Sequence, residues 1–152
     1  MDLANVDTIV AADEGAELQL RSPVDDAVLR DEKTGEPVTV NLVGSDSKEY
    51  MKITHQIQNR RLGKRLGRGS RVKTTAEEIE ADALELLVTS TKTWKHIILD
   101  GAELPCTPDN ARKLYQRFPW IREQVDEFIA DRTNFLGESS TTSRPLLNTT
   151  SK

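Results

Sequence analysis

The sequence predicts an α+β fold, mainly α-helical. A small N-terminal antiparallel β-hairpin or sheet is followed by an amphipathic helix, a basic linker and a C-terminal bundle of about three helices. Three observations lead there. Between residues 16 and 43 apolar and polar side chains alternate, the period of a half-buried strand. Beyond residue 47 apolar side chains recur every three or four positions, the period of a helix with one buried face. Between the helical stretches runs RRLGKRLGRGSRVK, rich in glycine and positive charge.

Residues 1–15 lack strong periodicity and read as a flexible arm ending at Gly15, with at most one weak helical turn. In Ala16–Ser22, Leu18 and Leu20 share one face, and Pro23 ends the run. Val28–Arg30 is a further short extended piece, and Asp31–Pro37 is a polar turn around Gly35. Val38, Val40 and Leu42 then line one side of a second strand, so 16–62 is expected to be a hairpin plus a helix. That helix spans 47–62. Ser45-Asp46-Ser47 supplies a short oxygen side chain to cap free N–H groups, and Tyr50, Ile53 and Ile57 form the apolar stripe.

Gly63, Gly67 and Gly69 each cost a helix about 1 kcal/mol relative to alanine, and like charges repel, so 63–73 reads as a mobile linker. Thr75 and Glu78 are spaced for a capping box. Ile79, Ala83, Leu86, Leu87, Ser90, Trp94 and Ile97 continue at helical spacing, predicting a helix to about Ile98. Thr107-Pro108 is a cap followed by proline at the first helical position, and Pro119 starts a last helix near 120–135. Residues 74–136 thus form the helical unit. The Ser/Thr-rich 137–152 is expected to be a disordered tail.

Charge is uneven. Residues 1–59 carry 5 basic and 12 acidic side chains, 60–73 carry 7 basic and none acidic, and 74–152 carry 9 and 13. The basic set is Arg60, Arg61, Lys64, Arg65, Arg68, Arg71 and Lys73. Such a set can neutralise several phosphates with salt-dependent affinity. It contains no aromatic side chain for base stacking, and its surroundings are acidic, so nucleic acid is not the favoured partner. A solvated linker, or a strip docking on an acidic protein surface, is favoured.

The single cysteine, Cys106, excludes an internal disulfide and a cysteine-rich zinc site. The N-terminus lacks the basic and apolar regions of a secretory signal, and no apolar run approaches a membrane span, so a soluble cytoplasmic protein is expected, with no membrane contact. His55 and His96 lie far apart, and His96 is placed near a helix end. Cys106 has no histidine near it in sequence to act as base. No glycine-rich phosphate loop of recognised spacing is present. No catalytic, metal or cofactor-binding residues emerge, and an enzyme is not expected. Trp94, Trp120, Phe128 and Phe135 are the bulkiest apolar set, candidates for the helical core or, where exposed, for partner anchors.

Several short segments occur in a recognisable order. Lys33-Thr34-Gly35-Glu36-Pro37, Gly44-Ser45-Asp46-Ser47 with Tyr50, and Gln58-Asn59-Arg60-Arg61-Leu62 come first. Thr93-Trp94, Leu99-Asp100-Gly101, Leu104–Ala111, Trp120–Val125, Phe128–Arg132 and Asn134-Phe135-Leu136 follow. Over residues 16–136 the chain resembles the tail assembly chaperone-like proteins of siphophages. The resemblance implies a chaperone in the host cytoplasm during tail morphogenesis, binding the tape measure protein and helping recruit tail tube subunits, absent from the finished virion. A homo-oligomer is compatible with it. The competing readings are a minor structural tail protein retained in the virion and, behind it, a nucleic-acid-binding regulator using 60–73.

Overall fold

A computed structural model describes residues 1–68 and 74–136, with the side chains of 65–68 outside the description. The fold is mixed α+β and mainly helical. A 3-10 turn (Leu3–Val6) leads into α1 (Thr8–Glu14), then β1 (Ala16–Gln19), β2 (Thr39–Leu42) and the long α2 (Lys48–Arg68). After the undescribed segment come α3 (Ala76–Ser90), β3 (Thr91–Lys95), the hairpin β4 (Ile98–Leu99) and β5 (Ala102–Glu103), then α4 (Pro108–Arg117) and α5 (Pro119–Ala130). A short helical turn at 133–136 closes the described chain.

The two alternating segments pair as expected, with Leu18 opposite Val40 and Ala16 opposite Leu42 in an antiparallel register. Their connection folds back through bridges between Arg21 and Val28 and between Arg30 and Pro37. Its tip is tied by Asp31, whose carboxylate accepts from the Thr34 main-chain N–H at 2.9 Å and the Thr34 hydroxyl at 3.0 Å. That bonding, with the charge of His96, outweighs desolvation and holds the Asp31 carboxyl below its ordinary value.

The largest departure lies at residues 91–98, for which helical spacing predicts continued helix. Instead α3 stops at Ser90, and Thr91–Lys95 becomes a third strand, with Trp94 opposite Val40 and Thr93 opposite Asn41. Ser90 and Thr91 both turn their hydroxyls back on the helix, donating to the Leu86 and Leu87 carbonyls at 2.7 and 2.8 Å. The β-branched threonines at 91 and 93 favour the pleated conformation, and pairing with β2 provides a ladder that helix continuation does not. His96, expected near a helix end, therefore sits at the strand's exit with a positive φ of 66°.

The second departure is the expected linker. Residues 63–68 continue α2, so Gly63 lies inside a helix; 69–73 fall outside the described residues, as does the expected tail at 137–152. The third departure is the expected arm. Asp7 caps α1, and Asp13 accepts the Lys48 main-chain N–H at 2.7 Å, covering the N-terminus of α2 alongside Ser47, whose hydroxyl accepts from Tyr50 at 3.1 Å. Asp46, placed by sequence in the cap, instead takes Arg132 with bonds of 2.5 and 3.0 Å. The last helix ends five residues early, because Asp131 turns its carboxylate to the Thr133 N–H and hydroxyl.

One face of the sheet packs on α3, α4 and α5. Val40, Leu42, Leu87, Leu114, Tyr115 and Val125 are among the most buried side chains of that core. Burial pushes the Tyr115 phenol up to about 12, and its hydroxyl is satisfied by the Thr91 hydroxyl at 2.5 Å. Among the described residues no helix is long and apolar enough to cross a membrane.

Candidate functional site

The basic residues singled out by sequence fall into three groups. Arg60 and Arg61 both reach Asp82 of α3, at 2.5 and 2.6 Å, and Lys64 reaches Glu78 at 2.5 Å. Burial would raise the Asp82 carboxyl, but hydrogen bonds and charge from the two arginines prevail and leave it below its ordinary value. Lys64 and the Thr75 N–H hold Glu78 down to about 2. Arg65 and Arg68 lie on the last turns of α2, and Arg71 and Lys73 lie outside the described residues. Three of the seven residues of the proposed electrostatic strip thus form a clasp between α2 and α3 rather than a free element. Phosphate binding by Arg60, Arg61 or Lys64 requires displacing carboxylates that already neutralise them.

The aromatic candidates do not converge on one surface. Trp94 leaves β3 half-buried, its indole N–H donating to the Leu104 carbonyl at 2.7 Å. Trp120 stands edge-on to Phe118 with ring centroids 6.2 Å apart. Phe128 meets Phe135 the same way at 5.5 Å, and Phe135 is buried against Gly44. Phe135 is buried, and Trp94, Trp120 and Phe128 are partly buried against the core, so none of the four stands free of the chain's own apolar interior.

His96 and Cys106 line one open cleft of about 530 Å³ with Glu36, Trp94 and Pro105, although sequence separates them. Their chemistry is not that of a nucleophile and its base. The Cys106 thiol is pushed up by burial, which disfavours the thiolate, and it leans toward the Lys92 carbonyl at 3.7 Å. His96 is engaged by Glu36 at 2.9 Å and lies 3.9 Å from Asp31. This arrangement pins the β1–β2 connection to the end of β3. His55 is on the exposed flank of α2 and joins neither. Among the described residues no cluster of three potential metal ligands is present.

The surface that sequence reasoning missed lies at the N-terminus. α1 buries Ala12 beside Gly44 and Phe135, and turns Ile9 and Val10 outward, 49% and 53% exposed. Val6 and Leu3 extend the strip, 42% and 73% exposed. Residues 1–20 carry Asp2, Asp7, Asp13, Glu14 and Glu17 and no lysine or arginine. The result, among the described residues, is an exposed apolar strip on a segment whose own charged side chains are all acidic, with Arg132 beside Thr8 and Ala12 at its inner flank. Its signal in the sequence is Leu3, Val6 and Val10 at helical spacing, broken by the change from 3-10 to α geometry at Asp7. A comparison of the chain with protein-family models, with curated proteins and with solved structures finds no match.

Proposed function

We propose that this protein is a phage tail assembly chaperone. On this reading it covers apolar helical stretches of the tape measure protein, helps recruit tail tube subunits, works in the host cytoplasm and leaves before the virion is complete. The observation that carries the reading is the exposed strip of Leu3, Val6, Ile9 and Val10 within an acidic N-terminal segment. A long helical protein awaiting enclosure exposes apolar stripes, and a helper needs a matching strip that binds and releases. The acidic charge of this segment favours a stripe flanked by lysine or arginine, and it speeds encounter more than it deepens affinity.

The reading also draws on the resemblance over residues 16–136. The pairing of Arg60, Arg61 and Lys64 with α3 carboxylates weighs against the nucleic-acid alternative. The test is a titration of purified chain against overlapping fragments of the tape measure protein. Helical fragments with basic flanks are expected to bind the native chain. The Ile9→Asp/Val10→Asp variant, with unchanged circular dichroism, is expected to lose that binding. No binding by any fragment, or equal binding by the variant, contradicts the reading.

A further inference from the structure

We infer that the outer edge of β1 and the adjoining flank of α5 form a docking groove for an extended, basic peptide segment, which joins the sheet as a fourth strand. The sheet order is β1-β2-β3, so β1 and β3 are its two edges. The β3 edge carries the segment 104–106, held by Trp94 to Leu104 and by Cys106 to Lys92. At the β1 edge the arrangement differs. The Arg21 main-chain N–H donates to Gln124 Oε1 at 2.9 Å, and the Arg21 carbonyl accepts from Gln124 Nε2 at 2.8 Å. One side-chain amide from α5 thus occupies the place that a peptide group of a neighbouring strand takes. Main-chain groups of an antiparallel edge strand alternate between facing its partner and facing outward. Leu20 directs its N–H inward to Val38 at 2.9 Å. The residues in register with Arg21, namely Gln19 and Glu17, therefore present N–H and C=O outward, where no strand lies among the described residues.

The groove beside them measures about 260 Å³, with Leu18 and Phe128 as its apolar floor and Glu127 and Asp131 on its rim. Arg21 is turned to the Asp26 carbonyl at 3.1 Å, and Lys95 of β3 stands 3.9 Å from the Glu17 carboxylate, which also accepts from the Thr39 hydroxyl at 3.3 Å. The carboxylates lining the groove are those of Glu127 and Asp131, and an incoming strand with alternating cationic and apolar side chains matches them. A second copy of β1 does not, because it brings Glu17 against the same acids. The inference rests on none of the chaperone reading, since its residues are separate from the α1 strip.

The experiment uses the full chain, isotope-labelled, and a capped alternating Lys-Val nonapeptide. Saturable shifts and added exchange protection are expected at the Glu17 and Gln19 amides. N-methylating the peptide on one alternate set of amides is expected to weaken binding about tenfold, and on the other set to leave it unchanged, since only one set faces β1. Gln19→Pro removes an outward donor at an edge position that tolerates proline and is expected to abolish binding; if that variant does not fold, the paired N-methyl peptides decide. The proposal is overturned by absence of saturable binding, by shifts centred on Ile9 and Val10, or by equal effects of the two methylation patterns. It is overturned equally by protection that exists without peptide and disappears on dilution, which assigns the edge to a second copy. Protection that disappears on removing residues 137–152 assigns it to the chain's own terminus and has the same consequence.

Discussion

Asp82 is 7% exposed and accepts from two guanidinium groups, so a carboxylate of α3 holds one turn of α2 in place. Removing one side of such a pair leaves charge without its partner. The arginine side chains remain 50% and 34% exposed, which tempers the loss. Asp82→Asn is expected to destabilise the fold by about 2 kcal/mol at neutral pH, measured from urea midpoints. The pH dependence follows from the direction of the shifts. A carboxyl held below its ordinary value stabilises fully above that value and loses its contribution as pH falls through the lower, folded value. For Glu78 the loss falls between 4.5 and about 2, and for Asp82 it falls below 3.8. The native urea midpoint is therefore expected to drop between pH 5 and pH 2, and Asp82→Asn/Glu78→Gln is expected to flatten that drop. An unchanged slope in the double variant assigns acid sensitivity to other groups.

Elements were legible in sequence where a local chemical signal marks them. Thr75 with Glu78 forms both halves of the expected capping box, and Thr107-Pro108 opens α4 with its hydroxyl on the Asn110 N–H at 3.1 Å. The alternation at Val38, Val40 and Leu42 marks β2 for the same reason, since period two has one structural meaning. The sequence is silent where tertiary partners decide. Trp94 and Ile97 satisfy a helical spacing by coincidence, and nothing local announces that β2 needs a neighbour on its far side. Glycine-based expectation of a break at 63–68 fails in a similar way, because Asp82 and Glu78, more than fourteen positions away in the case of Asp82, hold Arg60, Arg61 and Lys64 on a continuing helix. The α1 strip stayed hidden because its exposure depends on Gly44. A Cβ there meets the Ala12 Cβ at 2.9 Å and the Phe135 ring at 3.1 Å. Gly44→Ala is expected to loosen α1 and the 133–136 turn at a cost of about 1–3 kcal/mol. Limited proteolysis is the check, with faster cleavage ahead of Gly15 in the variant and a stable remainder. An unchanged digestion pattern places α1 independently of this contact.

At the scale of the whole molecule, β3 abolishes the division into a hairpin unit and a helical unit. Trp94 pairs with Val40, and Tyr115 of α4 bonds Thr91 of the same strand, so one core serves residues on both sides of 69–73. Urea unfolding is expected to give coincident transitions by tryptophan fluorescence and far-ultraviolet circular dichroism, with Leu114→Ala lowering both together by about 3 kcal/mol. Separate transitions contradict a shared core.

A shared core with an apolar strip exposed on α1 and the turn before it, among the described residues, is the physical basis of the chaperone reading, and the reading is most directly tested inside infected cells. The measurement is a quantitative pull-down of tagged chain before lysis of the host, comparing native protein with Ile9→Asp/Val10→Asp. Enrichment of the tape measure protein with the native chain, its loss with the variant, and absence of the chain from purified particles are the results this account expects. Capture of equal tape measure protein by both forms, or of none by either, contradicts it.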